Sequence, residues 1–225
     1  MIDLLEFLEE RDIVVNGIYV SPAKPIIITQ QLPYSNTVYD FSKLTGDYNY
    51  YPATVDVKIT YGSNIEKSLY RKIISSVISN ISSQDIKIPM ENGAYYKGVY
   101  IGCSDIETKG EVVGITELQF RCKPFKISEV KYGEELWDTF CFETDNLGIN
   151  SYTVNPNSTI EIINPGMYVN AVITVSSQLK VSTNNKEITL KAKTNNILKL
   201  KNGENIIKVL EGSGSLKIDF YPCYL

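Results

Sequence analysis

The 225-residue chain contains no histidine. That removes the commonest general base at neutral pH and the commonest nitrogen ligand for metals. Its four cysteines, at 103, 122, 141 and 223, form no CxxC pair, so a zinc knuckle or a dithiol redox motif has no footing. GxGxxG, P-loop, HExxH, EF-hand and GxSxG patterns are all missing. No stretch approaches eighteen continuous apolar residues, so no membrane-inserted helix is expected. The opening MIDLLEFLEERD is acidic and lacks a basic leader region, so it does not read as a secretory signal. Without such a signal, four free thiols in a reducing cell are expected. Cys103 and Cys122, lying in strand-like runs, are expected as small apolar core residues.

Positive charge is not in excess either. The formal net charge is −4, from 22 basic and 26 acidic residues. Residues 1–127 hold 13 basic and 15 acidic groups, and the remainder 9 and 11. Neither half carries the positive field that gripping a phosphate backbone requires, so direct nucleic-acid binding is not expected.

What is present is a globular composition, 43% hydrophobic and 21% charged, with sixteen tyrosines. Residues 2–10 set Ile2, Leu4, Leu5, Phe7 and Leu8 among acids, which predicts a short amphipathic helix. Its apolar face packs on its own domain or docks on a neighbouring subunit. IVVNGIYV at 13–20 predicts two short strands around an Asn16-Gly17 turn. IIIT at 26–29 lies beyond Pro22 and Pro25. Residues 33–53 then hold five tyrosines and Phe41 among turn formers, and predict an exposed connection or arm. Tyrosine suits a contact role there, since the ring buries apolar area while the hydroxyl stays wet.

TVDVKIT at 54–60 alternates cleanly and predicts a half-buried strand. A helix is predicted over 64–81. Ser63 and Glu66 match a capping box, and Ile65, Leu69, Ile73, Val77 and Ile81 form its stripe, which Tyr70 and Ile74 widen. AYYKGVYIG (94–102) and VVGITELQFRCKPF (112–125) predict strands around a Lys109-Gly110 turn. From residue 159, short apolar runs recur every 8–10 residues: TIEII, AVITV, LKV, EITL, NILKL, NIIKV and SLKIDF. That spacing predicts a β-sandwich. Lys201-Asn202-Gly203-Glu204 is the strongest hairpin signal, and Asn184-Asn185 another turn. Gly212-Ser213-Gly214 reads as a turn between strands. Leu216, Ile218 and Phe220 place the last strand in the core.

The fold class expected is mainly β. Residues 1–127 form an α+β first domain with one packed helix. Residues 128–225 form a linker and a β-sandwich.

Catalytic, cofactor-binding and metal-binding residues are all expected to be none. The adjacent acids Glu9-Glu10 and Glu134-Glu135 read as solvated faces rather than a carboxylate pair across a cleft. Carbohydrate binding is the alternative function, through Trp137, Tyr152 or Tyr168, with a core or interdomain role the competing reading of Trp137. Asn157-Ser158-Thr159 meets the glycosylation rule only formally.

The order of these segments resembles the distal tail protein family of long-tailed phages and phage-tail-like particles. The segments that carry the resemblance are TVDVKIT after DFSKLTGDYNYY, the helix IEKSLYRKIISSVISNI, the strand AYYKGVYIG, the strand ending in FRCKPF, and NLGINSYTVNPNSTIEIINPGMYVNAVITV. The resemblance implies a structural, non-enzymatic subunit without a cofactor. It implies that the first domain forms a homo-hexameric ring joining the tail tube protein to the tail-tip hub protein. It also implies a galectin-like β-sandwich that supports receptor-binding or side-fibre proteins. The implied location is the virion tail tip, assembled in the host cytoplasm, of a phage or a tail-like bacteriocin. The 2–10 stretch is longer than the family's usual start. With residues 34–51 it is the expected ring contact.

Overall fold

The computed structural model describes residues 1–34, 36–44, 48–61, 66–90, 93–109, 113–134, 148–183 and 186–225. The chain divides into two compact units, Met1–Lys126 and Ile127–Leu225. It is mainly β.

The first unit opens with β1 (Ile2–Asp3), α1 (Leu4–Glu9) and β2 (Ile13–Ser21). Next come β3 (Thr29–Gln31), β4 (Val38–Asp40), β5 (Ala53–Tyr61) and α2 (Lys67–Ile81). It closes with β6 (Ile86–Met90), β7 (Ala94–Cys103), β8 (Glu107–Lys109) and β9 (Val113–Cys122). One mixed sheet runs β1-β6-β7-β9-β5-β2, with β8 on β9; β1 joins β6 in parallel. Val55, Val57 and Ile59 bury completely, as their alternation requires, with Leu118 and Phe120 on the neighbouring strand.

Residues 13–20 are one continuous strand, not two. Against β5 the register shifts between Val15 and Gly17, leaving Asn16 as an extra residue, so the Asn-Gly pair makes a bulge in a long strand. In α1, Asp3 caps the helix by accepting from the Leu5 amide (3.2 Å), and Leu4 and Leu8 bury completely in the unit's own core. The helix therefore spends its apolar face inside its own unit and offers none to a neighbour.

Glu66 is itself the cap residue of α2 and makes no side-chain cap bond. Ser63 and Ile65 lie outside the described residues. The buried stripe is Tyr70, Ile74, Val77 and Ile81, and Leu69 is left 48% exposed. A strict four-residue repeat drifts off one face of a 3.6-residue helix, whereas steps of four, three and four stay on it.

Cys122 is buried, but Cys103, at the end of β7, is exposed with Val99 and Ile101 of the same alternation. Cys141 lies outside the described residues. Burial pushes the Cys122 thiol up to about 12. The folded state thus favours the neutral thiol. Its stabilising share is complete below the ordinary value of 9.0 and is lost as pH rises towards 12. With iodoacetamide at pH 8, Cys103 is expected to label in the native protein and Cys122 only after unfolding in urea. Peptide mass spectrometry reads the difference; equal labelling would contradict the buried position of Cys122.

The second unit begins within β10 (Lys126–Ser128). It contains β11 (Ser151–Val154), β12 (Thr159–Asn164), β13 (Val169–Val175) and β14 (Leu179–Thr183). β15 (Lys186–Leu190), β16 (Asn196–Leu200), β17 (Gly203–Glu211), β18 (Gly214–Asp219) and β19 (Cys223–Tyr224) complete it. Two antiparallel sheets, β11-β18-β13-β16 and β12-β17-β14-β15, share one core. Inward residues alternate on both, for example Ala171, Ile173 and Val175 on one and Ile160 and Ile162 on the other. Leu216, Ile218 and Phe220 bury as their pattern predicts.

The strongest hairpin signal does not make a hairpin. β16 pairs with β13, whereas β17 pairs with β12 and β14. Asn202-Gly203 therefore turns the chain from one sheet into the other. Gly203 does take the positive φ that the dipeptide announces, +79°. Gly212-Ser213-Gly214 crosses between the sheets in the same way. β14 and β15 pair as a hairpin from Thr183 opposite Lys186; Asn184 and Asn185 themselves lie outside the described residues.

Candidate assembly arm

Between β2 and β5 the chain leaves the main sheet and returns as a two-stranded ribbon. At its root, Pro25 bridges Tyr50, the Ile26 amide donates to the Asn49 carbonyl (2.7 Å), and the Tyr51 amide donates to the Lys24 carbonyl (2.9 Å). Tyr50 is half-buried and meets Phe125 edge-on, ring centroids 5.1 Å apart. Further out, Thr29, Gln30 and Gln31 pair with Asp40, Tyr39 and Val38.

Ser42 locks the middle of the ribbon. Its hydroxyl accepts from the Ile28 amide (2.8 Å), and its own amide donates to Asp40 Oδ1 (2.8 Å). Hydrogen bonding from the Ser42 side chain, and then from the Ser42 backbone, holds the Asp40 carboxyl below its ordinary range. The amide of Phe41 donates to the Ile28 carbonyl (2.8 Å), so the ladder extends one pair beyond the strands.

Alternation then fixes which side chains share a face. Ile28, Tyr39 and Phe41 lie on one, with the two rings stacked 6.4 Å apart; Ile27 and Val38 lie on the other. All five are exposed, Ile27 at 68% and Val38 at 57%, and Tyr34 at the turn is fully so. An isolated two-stranded ribbon is marginal in water, and one with apolar residues on both faces is more costly still. The arm has the composition of a contact surface without the contact.

The tyrosine-dense 34–51 region thus stands where the sequence places it, as an exposed arm. The sequence reading missed Ile27 and Ile28, which look like an ordinary strand run. Their signal was the isolation of IIIT between Pro25 and the turn at Pro33, too short for a core strand of the main sheet.

Two of the candidate sugar-binding residues lie within the described part of the chain. Tyr152, on β11, is half-buried and packs against the sandwich core. The Lys199 ammonium lies over the Tyr168 ring, 4.3 Å from its centroid. Trp137 lies outside the described residues, as does Glu135. Glu9, Glu10 and Glu134 are exposed. Asn157 is exposed in a tight turn at φ 71°. Among the described residues, no group of three or more Cys, Asp or Glu side chains is placed to hold a metal ion. No described helix is long and apolar enough to cross a membrane.

A solved structure, that of the SPP1 Dit protein (gp 19.1), matches this chain with a TM-score of 0.61 at 12% sequence identity. The match covers 96% of this chain and 95% of that one. The chain has the fold of a phage distal tail protein. The SPP1 protein is described as a paradigm of the hub adsorption apparatus in phages infecting Gram-positive hosts. Neither a protein-family model nor a curated protein matches the sequence. At 12% identity it is the fold that is shared; no residue role follows from it.

Proposed function

We propose that this chain is a structural, non-enzymatic subunit of a phage-type tail tip. Its first unit forms a homo-hexameric ring between the tail tube protein and the tail-tip hub protein. Its second unit, a galectin-like sandwich, supports receptor-binding or side-fibre proteins. The observation that carries this reading is the match to the SPP1 distal tail protein over 96% of this chain and 95% of that one. The unpartnered arm supports it, because a closed ring needs each subunit to present a surface that another copy covers. Immunogold labelling of particles from the producing strain tests it. Gold at the distal end of the tail is expected; label along the tube or absent from the particle would overturn the assignment.

The arm is the expected contact within the ring. Ile28→Asp and Phe41→Asp together are expected to lower self-association at least about tenfold while leaving the melting temperature within about 2 °C. Sedimentation velocity and circular dichroism read the two effects. Unchanged association would remove the arm from the interface.

A further inference from the structure

The face of the first unit's sheet that points away from the core carries a row of cations. Lys87 and Lys97 stand directly opposite each other on β6 and β7. The amide of Lys123 donates to the Lys97 carbonyl (2.8 Å), which sets a third lysine beside them. Arg121 follows opposite Val99 on the same face. Like charges facing across a strand pair repel. Two are relieved within the unit: Lys87 by Asp3 at 3.3 Å, and Lys97 by Asp85 at 2.6 Å. Hydrogen bonding and charge from Lys97, with help from the N-terminus and Lys123, hold the Asp85 carboxyl below its ordinary range. Arg121 and Lys123 remain exposed.

The outer surface of α1 has the opposite sign. α1 lies against the core, and its outer surface presents Glu6, Glu9 and Glu10, followed by Asp12, all exposed. The only cation among them is Arg11. Its guanidinium lies over the Phe7 ring at 3.7 Å, donates to the Phe7 carbonyl at 2.8 Å and reaches Glu10 at 3.4 Å.

We propose that the Arg121–Lys123 face of one copy docks on the acidic ridge of α1 (Glu6, Glu9, Glu10) of the next. The inference rests on the ring reading above and names a contact within it. The two surfaces differ, so the contact is head-to-tail and repeats from copy to copy, as a cyclic ring demands. Both are polar and exposed, so their charges set register and association rate and are screened by salt. α1 therefore serves assembly through its charged face, since its apolar face is already buried.

Two charge-reversed proteins test the contact. One carries Arg121→Glu and Lys123→Glu, the other Glu6→Lys and Glu9→Lys. None of these side chains is buried, and circular dichroism should show both proteins folded. Sedimentation velocity at about 50 mM salt is expected to show each associating at least about tenfold more weakly than the unsubstituted chain. An equimolar mixture should recover association, because alternating copies restore both complementary contacts. If each variant associates as well alone as the unsubstituted chain does, or the mixture recovers nothing, this contact is wrong and the ring reading is untouched. If the unsubstituted chain stays monomeric at every concentration, self-docking is overturned, and the tail-tip assignment still answers separately to gold labelling.

Discussion

Tyr70→Ala is expected to destabilise the first unit by about 3–5 kcal/mol, the cost of emptying an aromatic site in a packed core. Tyr70 is 1% exposed and is the largest side chain that α2 contributes to the core. Its ring lies directly over Gly114: a Cβ at that glycine would fall 2.5 Å from Tyr70 Cδ1. The ring occupies space that β9 leaves free only because residue 114 has no side chain, so no neighbour can move in cheaply. The hydroxyl contributes little. It donates to the Ile59 carbonyl at 3.5 Å, a long bond, so Tyr70→Phe should cost under about 1 kcal/mol.

Burial raises the Tyr70 pKa above its ordinary 10.0. The neutral phenol is therefore the folded form. Its contribution is complete below about pH 10 and falls away above it. In a calorimetric scan the Tyr70→Ala protein should lose its first-unit transition by on the order of 10 °C or more. A shift of less than about 2 °C would mean that α2 is not held by this ring. Gly114→Ala approaches the same contact from the other strand and should also destabilise, through overpacking.

The second large effect is expected at Asn164 in the sandwich. This side chain is fully buried and uses three hydrogen bonds. Its Nδ2 donates to the carbonyls of Met167 (2.8 Å) and Lys201 (3.1 Å), and its Oδ1 accepts from the Gly166 amide (3.2 Å). Asn205, 2% exposed, answers it: its Oδ1 accepts from the Lys201 amide (2.8 Å) and its Nδ2 donates to the Lys201 and Gly203 carbonyls, both at 2.9 Å. Asn202 Nδ2 adds a bond to the Gly166 carbonyl (2.6 Å). The three asparagines tie the Asn-Pro-Gly corner at 164–166 to the segment where the chain changes sheets.

Asn164→Leu fills similar volume and leaves the Met167 carbonyl and the Gly166 amide without these partners, while the Lys201 carbonyl keeps Asn205. A loss of about 3 kcal/mol is expected, since each buried unsatisfied group costs about 1–3 kcal/mol and some will find water. Urea unfolding followed by circular dichroism measures it. A midpoint equal to that of the unsubstituted protein would show that the corner is held by backbone packing alone. Gly166 makes relaxation harder, because a Cβ there would meet the Cys223 carbonyl oxygen at 2.1 Å.

These sites show where sequence reading stops. The 54–60 strand was legible because alternation is a property of neighbouring residues, and Val55, Val57 and Ile59 could only bury together. The strand runs from 159 to 220 were legible for the same reason. At α2 the helix was legible and its buried face was not: Leu69 and Tyr70 both fit an apolar stripe, and only the gap above Gly114 selects Tyr70. α1 was read correctly as an amphipathic helix, but whether its apolar face served its own unit or another copy depended on what lay beneath it. The exposure of the 34–51 arm was legible from tyrosine among turn formers. The apolar residues of its other strand, Ile27 and Ile28, were not, because a strand of the main sheet and a strand of a free ribbon read alike.

The sequence by itself determined the mainly β class, the packed helix of the first unit, the repeated short strands of the second and the glycine that turns at 203. Each follows from side-chain period or from backbone freedom, which are settled within a few residues. The tertiary structure alone decided partners. It made Asn16-Gly17 a bulge and Asn202-Gly203 a crossing between sheets, buried Cys122 and left Cys103 in solvent, and placed lysines of two strands face to face. Pairing brings together residues far apart in the chain, and the same dipeptide turns a chain equally well towards its neighbour or into the facing sheet.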